Sequence, residues 1–323
     1  MSLLDIVFSY WPGAEALVRR VYKSNVGIQK HFGKLKRKLL HKETSVNASE
    51  MPQIEIDSLK DCLKSLGIQN GDILIAHTSM DGLQNVNAEP LEILDLLISL
   101  VGDKGTLAMP TFPKYKKNES IPHFDYNKFI AWTGMLPNLF IKKRGATSSH
   151  LPLNTLSALG PACHDMFLEE EKAIYTYGEG TPWEYCMKNH AKVLFLGVEP
   201  FHSISESHIA EDLLQEEFPV KKWYLDQTFL VGTGGEFSEK IYRVRDLAWS
   251  RFAAEHFFQR YLIQNRLVRD VSELGISIYI VDDLSILVDN MLNCFRNGNL
   301  LGYRIPRKYR RNRREDHNKA TFN

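Results

Sequence analysis

The chain has 323 residues, 44% of them hydrophobic and 24% charged, a balance that fits a globular protein with one large core or two smaller ones. Its 40 basic and 39 acidic side chains nearly cancel, so no overall field draws it to nucleic acid. No apolar run reaches the roughly 18 to 20 residues of a membrane helix, and the first residues lack the basic start of a signal peptide. Cys62, Cys163, Cys186 and Cys294 are far apart and form no CxxC pair. That spacing argues against a zinc ribbon or a disulfide framework and fits a reducing cytoplasm.

Residues 1–54 read as a basic N-terminal extension and linker. Leu17, Val21, Val26, Ile28, Phe32, Leu35 and Leu39 give a loose helical pattern, and nine basic residues with no acidic one fall between positions 18 and 42. The main domain is expected over 55–303. A helix at 56–68 stops at Gly67, and ILIAH (73–77) is a buried strand. A helix at 90–102 opens with Pro90 and closes with Gly102, and a second strand at 105–110 ends at Pro110. Strand, helix and strand at this spacing predict a parallel βαβ unit. AKVLFLGV (191–198) predicts another core strand, and SHIAEDLLQEE (207–217) a helix. QTFLVG, KIYRVR and ISIYIV add later strands, with one helix expected from 246 to 264. The class is α/β, with a parallel βαβ start and a mixed, partly antiparallel C-terminal part. Residues 304–323 carry six basic residues in the eight from Arg307 to Arg314 and read as a disordered tail. The basic termini are either solvated or a weak contact for an anionic membrane surface.

Five segments recur in one order: GDILIAHTSMDGL (71–83), GTLAMPTFP (105–113), GMLPNLFIKKRGATSSHLPLNTLSALGPAC (134–163), GEGTPW (178–183) and AKVLFLGVEPFHSISESHIAE (191–211). In that order they resemble the aminoglycoside 3-N-acetyltransferase family, over about residues 56–302. The resemblance implies that family's own α/β fold, acetyl-CoA (or another acyl-CoA) as donor and direct transfer to an amine; the residues themselves lead to the expectation of no metal. The third segment departs from the family's Arg-Ser-x-His-Pro. Ser149 and Pro152 match, but Ser148 stands for the arginine and Leu151 for the histidine, with His150 one place early. Ser149 is carried over as a donor-binding candidate. Arg144, Lys142 or Lys143 would replace the lost charge, or are simply surface residues.

Amide formation needs a neutral amine to attack a thioester carbonyl, and histidine is the base best matched to neutral pH. His208 follows a buried strand and a polar loop, and Glu211 would share its helical face three residues on. A structural alternative stands beside this: Ser203-x-x-Glu206 has the spacing of a capping box, and His208 would then only sit near a helix start. Asp246 resembles a late acidic position of the family that pairs with the histidine; it also suits a helix N-cap. Thr78, Ser79 and Thr111 follow strands at their carboxyl ends, where ligands bind in open α/β sheets. They would stabilise the thioester oxyanion or meet the pantetheine arm, or else serve as ordinary turn residues.

Glu199, Glu206, Glu211, Asp212, Glu216 and Glu217 either surround a cationic acceptor or form a solvated face. The expected acceptor is an amino sugar, nucleotide-linked or free, in glycan or polysaccharide synthesis. An aminoglycoside antibiotic is the alternative, and a homodimer is left open. Two other classes fit parts of the sequence. A metal hydrolase would use His202, His208 and Glu211, but no HExxH motif is present. A non-catalytic scaffold would dock through its basic N-terminal segment.

Overall fold

The strand Ile73–Thr78 is buried along its four central positions, so it must lie inside a sheet. In the computed structural model, which describes residues 3–24, 52–116 and 119–311, it occupies the centre of a seven-stranded sheet. Lys192–Leu196 and Thr106–Pro110 flank it, both parallel to it. The helix Pro90–Val101 makes the crossover, with Pro90 in its first turn and Gly102 at φ +66° just past its end. The expected βαβ unit is therefore formed. The outer strands reverse direction. Ile278–Val281 and then Arg269–Asp270 add antiparallel on one side, Leu156–Leu159 and Thr147–Ser148 on the other.

Alternation along the central strands builds two cores. Ile75, Val193 and Phe195 point into one, with Trp183, Trp223 and Phe295; Leu74, Ala76, Leu194 and Leu196 point into the other, with Leu59, Leu97 and Phe140. The predicted late strands form a ten-residue-per-arm hairpin, Tyr224–Thr233 with Glu236–Arg245, turning at Gly234 and Gly235. It adds His123–Asp125 as a third strand and covers a small core of Phe124, Phe229, Val231 and Tyr242.

The single helix expected over 246–264 is corrected. A 3-10 stretch, Leu247–Phe252, is separated from the helix Glu255–Gln264 by Ala253 and Ala254. Those two alanines have good helix propensity, but their backbone is engaged elsewhere. Ala253 pairs with Tyr303 as an isolated bridge, and the Ala254 N–H donates to Gly302 O at 2.7 Å. Long-range pairing here overrides local preference.

Two N-terminal helices, Leu3–Tyr10 and Pro12–Ser24, pack against the Glu255–Gln264 helix and the turn before it. Most of the basic run from 18 to 42 lies outside the described residues, as does the tail beyond 311. The start of the tail is docked, however: Ile305 is buried, and Tyr309 packs edge-on against Trp249. Among the described residues no helix is long and apolar enough to cross a membrane.

Candidate active site

At the carboxyl end of the Lys192–Leu196 strand the chain turns at Gly197, φ +71°, and passes through a short helical turn, Pro200–Ser203. The helix Ser207–Leu214 then begins, and its 3.6-residue period places His208 and Glu211 on one face. His208 Nδ1 lies 3.1 Å from Glu211 Oε2. The glutamate is fully buried, whereas 20% of the imidazole side chain remains exposed. Trp223 Nε1 donates to the same carboxylate at 3.2 Å. Burial pushes the Glu211 carboxyl up, but the nearby His208 and Arg245 charges and the Trp223 hydrogen bond bring it below the usual carboxylate range. The glutamate is therefore a fixed negative charge beside an imidazole that solvent can reach.

His208 and Glu211 line a cavity of about 220 Å³, together with Ser205, Arg245, Glu255 and Tyr303. A second cavity of about 120 Å³ lies at the ends of the central strands and is lined by His77, Thr78, Phe112, Trp132 and Thr133. Ser203 and Ser205 line both.

Of the residues expected at the site, Thr78 does face this region. Its hydroxyl is buried in the smaller cavity with no hydrogen-bond partner. Ser79, one residue on, lines neither cavity; its N–H donates to Leu196 O at 3.1 Å. Thr111 is fully buried, with Oγ1 2.6 Å from Ser157 Oγ. Ser149 is fully buried too: its N–H donates to Leu156 O, and its hydroxyl accepts from the Leu151 N–H at 3.4 Å. Thr111 and Ser149 thus hold backbone together rather than facing the cavities. Asp246 is not brought to His208. Its carboxylate accepts the Ala248 N–H at 2.8 Å and caps the 3-10 stretch that follows. The side chain this segment sends to the cavity is its neighbour Arg245.

Two features were not read from the sequence. His77 appeared there only as the last letter of an apolar strand. Its Nε2 meets Glu206 Oε1 at 2.7 Å, and its ring stacks on Phe195 at 4.9 Å. The Glu206 carboxylate therefore goes to the sheet, and the capping box proposed for Ser203 and Glu206 does not form. The available signal was a polar residue at the carboxyl end of a parallel strand, where ligand sites occur. Arg245, the second, gave no local signal beyond its place in a hydrophobic alternation.

The acidic residues do not converge. Glu199 accepts from Gln259 and Ser277, Glu206 meets His77, and Glu216 pairs with Arg243 and Arg311. Asp212 accepts the Tyr177 N–H and is pushed up to about 7, mainly by burial. In the motif that departs from the family, His150 stacks on Tyr126 at 3.8 Å, Lys143 pairs with Asp95, and Lys142 and Arg144 are exposed. Among the described residues no group of three or more His, Cys, Asp or Glu could hold a metal ion. The His202 side chain, part of the metal reading, lies outside the described set.

A family model for aminoglycoside 3-N-acetyltransferase matches residues 75–272. Aminoglycoside N(3)-acetyltransferase III of Salmonella sp is 26% identical over 199 residues, covering 57% of this chain and 68% of that relative. Aminoglycoside N(3)-acetyltransferase IX of Micromonospora chalcea is 28% identical over 177 residues, or 48% of this chain and 60% of that one. The fold matches that of AAC-IIIb in binary complex with CoASH, with a TM-score of 0.64 at 21% identity over 77% of this chain and 98% of that chain. It also matches AAC-VIa bound to sisomicin, with a TM-score of 0.64 at 18% identity over 77% of this chain and 99% of that chain.

Proposed function

This chain belongs to the aminoglycoside 3-N-acetyltransferase family and is an acetyltransferase, and we propose that it transfers the acetyl group of acetyl-CoA to an amino group of an aminoglycoside-type amino sugar. The observation that carries the reading is the His208–Glu211 pair on the wall of a cavity, in a chain of this family. Nδ1 faces Glu211, so Nε2 is the nitrogen left for the acceptor amine. It takes the amine proton as the nitrogen attacks the thioester carbonyl carbon. The tetrahedral intermediate then collapses, the C–S bond breaks, and CoA leaves as a thiolate that is reprotonated. We assign the developing oxyanion to the Thr78 hydroxyl, a reading supported by its being an unused donor in the adjoining cavity. Glu211 keeps the imidazole oriented and balances its positive charge.

The donor assignment is supported by the fold shared with a relative solved with CoASH. The names of the relatives favour aminoglycosides as acceptors, and one neighbour was solved with sisomicin. A second reading, an amino sugar of lower charge, is favoured by one observation: of the two carboxylates lining the cavity, Glu211 lies within the influence of Arg245 and Glu255 is paired with Arg19. Polycations gain little from such a balanced wall.

The test is CoA thiol release with acetyl-CoA against aminoglycosides, free amino sugars and nucleotide-linked amino sugars. Replacing His208→Ala should lower the rate by about 10²- to 10⁴-fold with whichever acceptor turns over. A loss below about threefold would place the base elsewhere.

A further inference from the structure

Residues 3–24 lie outside the span 75–272 that matches the family, yet they reach the wall of the His208 cavity. The link is Glu15, only 1% exposed. Its two oxygens accept the Glu255 N–H at 3.1 Å and the His256 N–H at 3.2 Å, the first free amides of the Glu255–Gln264 helix. Arg19 Nε donates to Glu15 at 3.0 Å. The same guanidinium grips both oxygens of Glu255, at 3.0 and 2.5 Å. Glu255 also lines the cavity, as does Ser250, whose hydroxyl accepts from Lys23. One short helix thus controls where a cavity carboxylate points and whether its charge is felt.

We propose that the N-terminal helix Pro12–Ser24 is part of the acceptor site, with Arg19 as its specificity-determining positioning residue. This rests on the reading that the His208 cavity takes the acceptor amine. In the wall Glu211 lies near Arg245, and Glu255 is paired with Arg19. Loss of Arg19 makes this side of the cavity more negative by one charge. A polycation gains more from that charge than a single amine does, by about tenfold for charges a few ångströms apart in a partly solvated site. Arg19 also pairs with the buried Glu15, so its loss removes one counter-ion there, and His256 and the two helix amides still hold that carboxylate; Arg19→Lys keeps the charge and controls for any loss of folding.

The experiment compares the full-length wild type with Arg19→Met and Arg19→Lys. Thiol release gives kcat/KM for sisomicin, a polycation, and for glucosamine, with a single amine. Arg19→Met should raise the sisomicin-to-glucosamine ratio about tenfold and leave KM for acetyl-CoA within about twofold. Arg19→Lys should restore most of the wild-type ratio. Calorimetry with sisomicin in the presence of CoA gives a second readout that needs no turnover, and Arg19→Met should bind about tenfold more tightly. A ratio that moves less than about twofold, or both acceptors falling in parallel, would overturn the proposal. If wild type releases no thiol with any acceptor, the proposed reaction fails; the calorimetric comparison then decides this inference alone, and an unchanged or absent sisomicin affinity refutes it.

Discussion

Replacing Glu211→Gln separates the charge of the buried partner from its shape. Glutamine keeps an acceptor for the Trp223 Nε1–H, now held at 3.2 Å, and opens no cavity. What disappears is a unit negative charge 3.1 Å from His208 Nδ1. At that distance a charge pair is worth about 5 kcal/mol at an effective dielectric of about 20 and about 1.3 kcal/mol in water. The imidazole is 20% exposed and Arg245 already offsets part of the glutamate, so the lower half of that range applies. A loss of about 2 kcal/mol in the state where the imidazole carries the amine proton corresponds to about a 30-fold fall in kcat. Thiol release at saturating acetyl-CoA measures it directly. KM for acetyl-CoA should stay within about twofold, because the charge acts on the proton acceptor rather than on donor binding. A fall below about threefold in kcat, or one confined to KM, would show that the pair does not operate as a charge-balanced base.

Two further substitutions test the frame around the site. His256 sits between Glu15 and Asp5, and hydrogen bonding to Glu15 lifts its proton affinity above the ordinary value of 6.5 against the effect of burial. Its contribution is complete below about pH 6.5 and is lost as pH rises through the raised folded value, whereas Glu15, lowered below its ordinary 4.5 by His256 and Arg19 in spite of burial, loses its contribution as pH falls below that. Wild type should therefore exceed His256→Gln in Tm at pH 6, with the gap narrowing by pH 9; a gap constant across that range would refute the assignment. At Gly82 a Cβ would come 2.0 Å from Gly197 O, a backbone atom with nowhere to move. Gly82→Ala should cost at least about 1–3 kcal/mol and disturb the Thr78 loop, and a Tm within about 1 °C of wild type would contradict the packing.

The sheet centre was legible because apolar runs bounded by Gly and Pro leave few choices, and because a strand–helix–strand unit has one common hand. The spacing of His208 and Glu211 was legible too, since a helix converts three residues into one face. The remainder depended on contacts between distant parts of the chain. His77 and Glu206 are 129 positions apart, and nothing local to either names the other. The break at Ala253 and Ala254 comes from pairing with Gly302 and Tyr303. Glu15, in a stretch read as basic and detached, is buried because it caps a helix some 240 residues later. Asp246 shows the opposite case: its local capping chemistry, an Asp before a helical turn, is what the structure displays.

The two His–Glu pairs around Ser205 have different access to water, and this decides which can do chemistry. His77 is 7% exposed and Glu206 0%; the second oxygen of that carboxylate has no partner. Breaking such a buried contact leaves polar atoms unpaired, so it ties the segment just before the Ser207–Leu214 helix to the sheet. A general base must also pass its proton on, to the leaving thiolate or to water, before the next turnover. The ring of His77 is stacked against Phe195 and held by Glu206, and it is far less exposed than that of His208. His208 is held by a carboxylate just as deeply buried, but its own ring opens to the cavity and to solvent. The more deeply buried pair therefore fixes the position of the helix, and greater exposure supports the other pair as the proposed base.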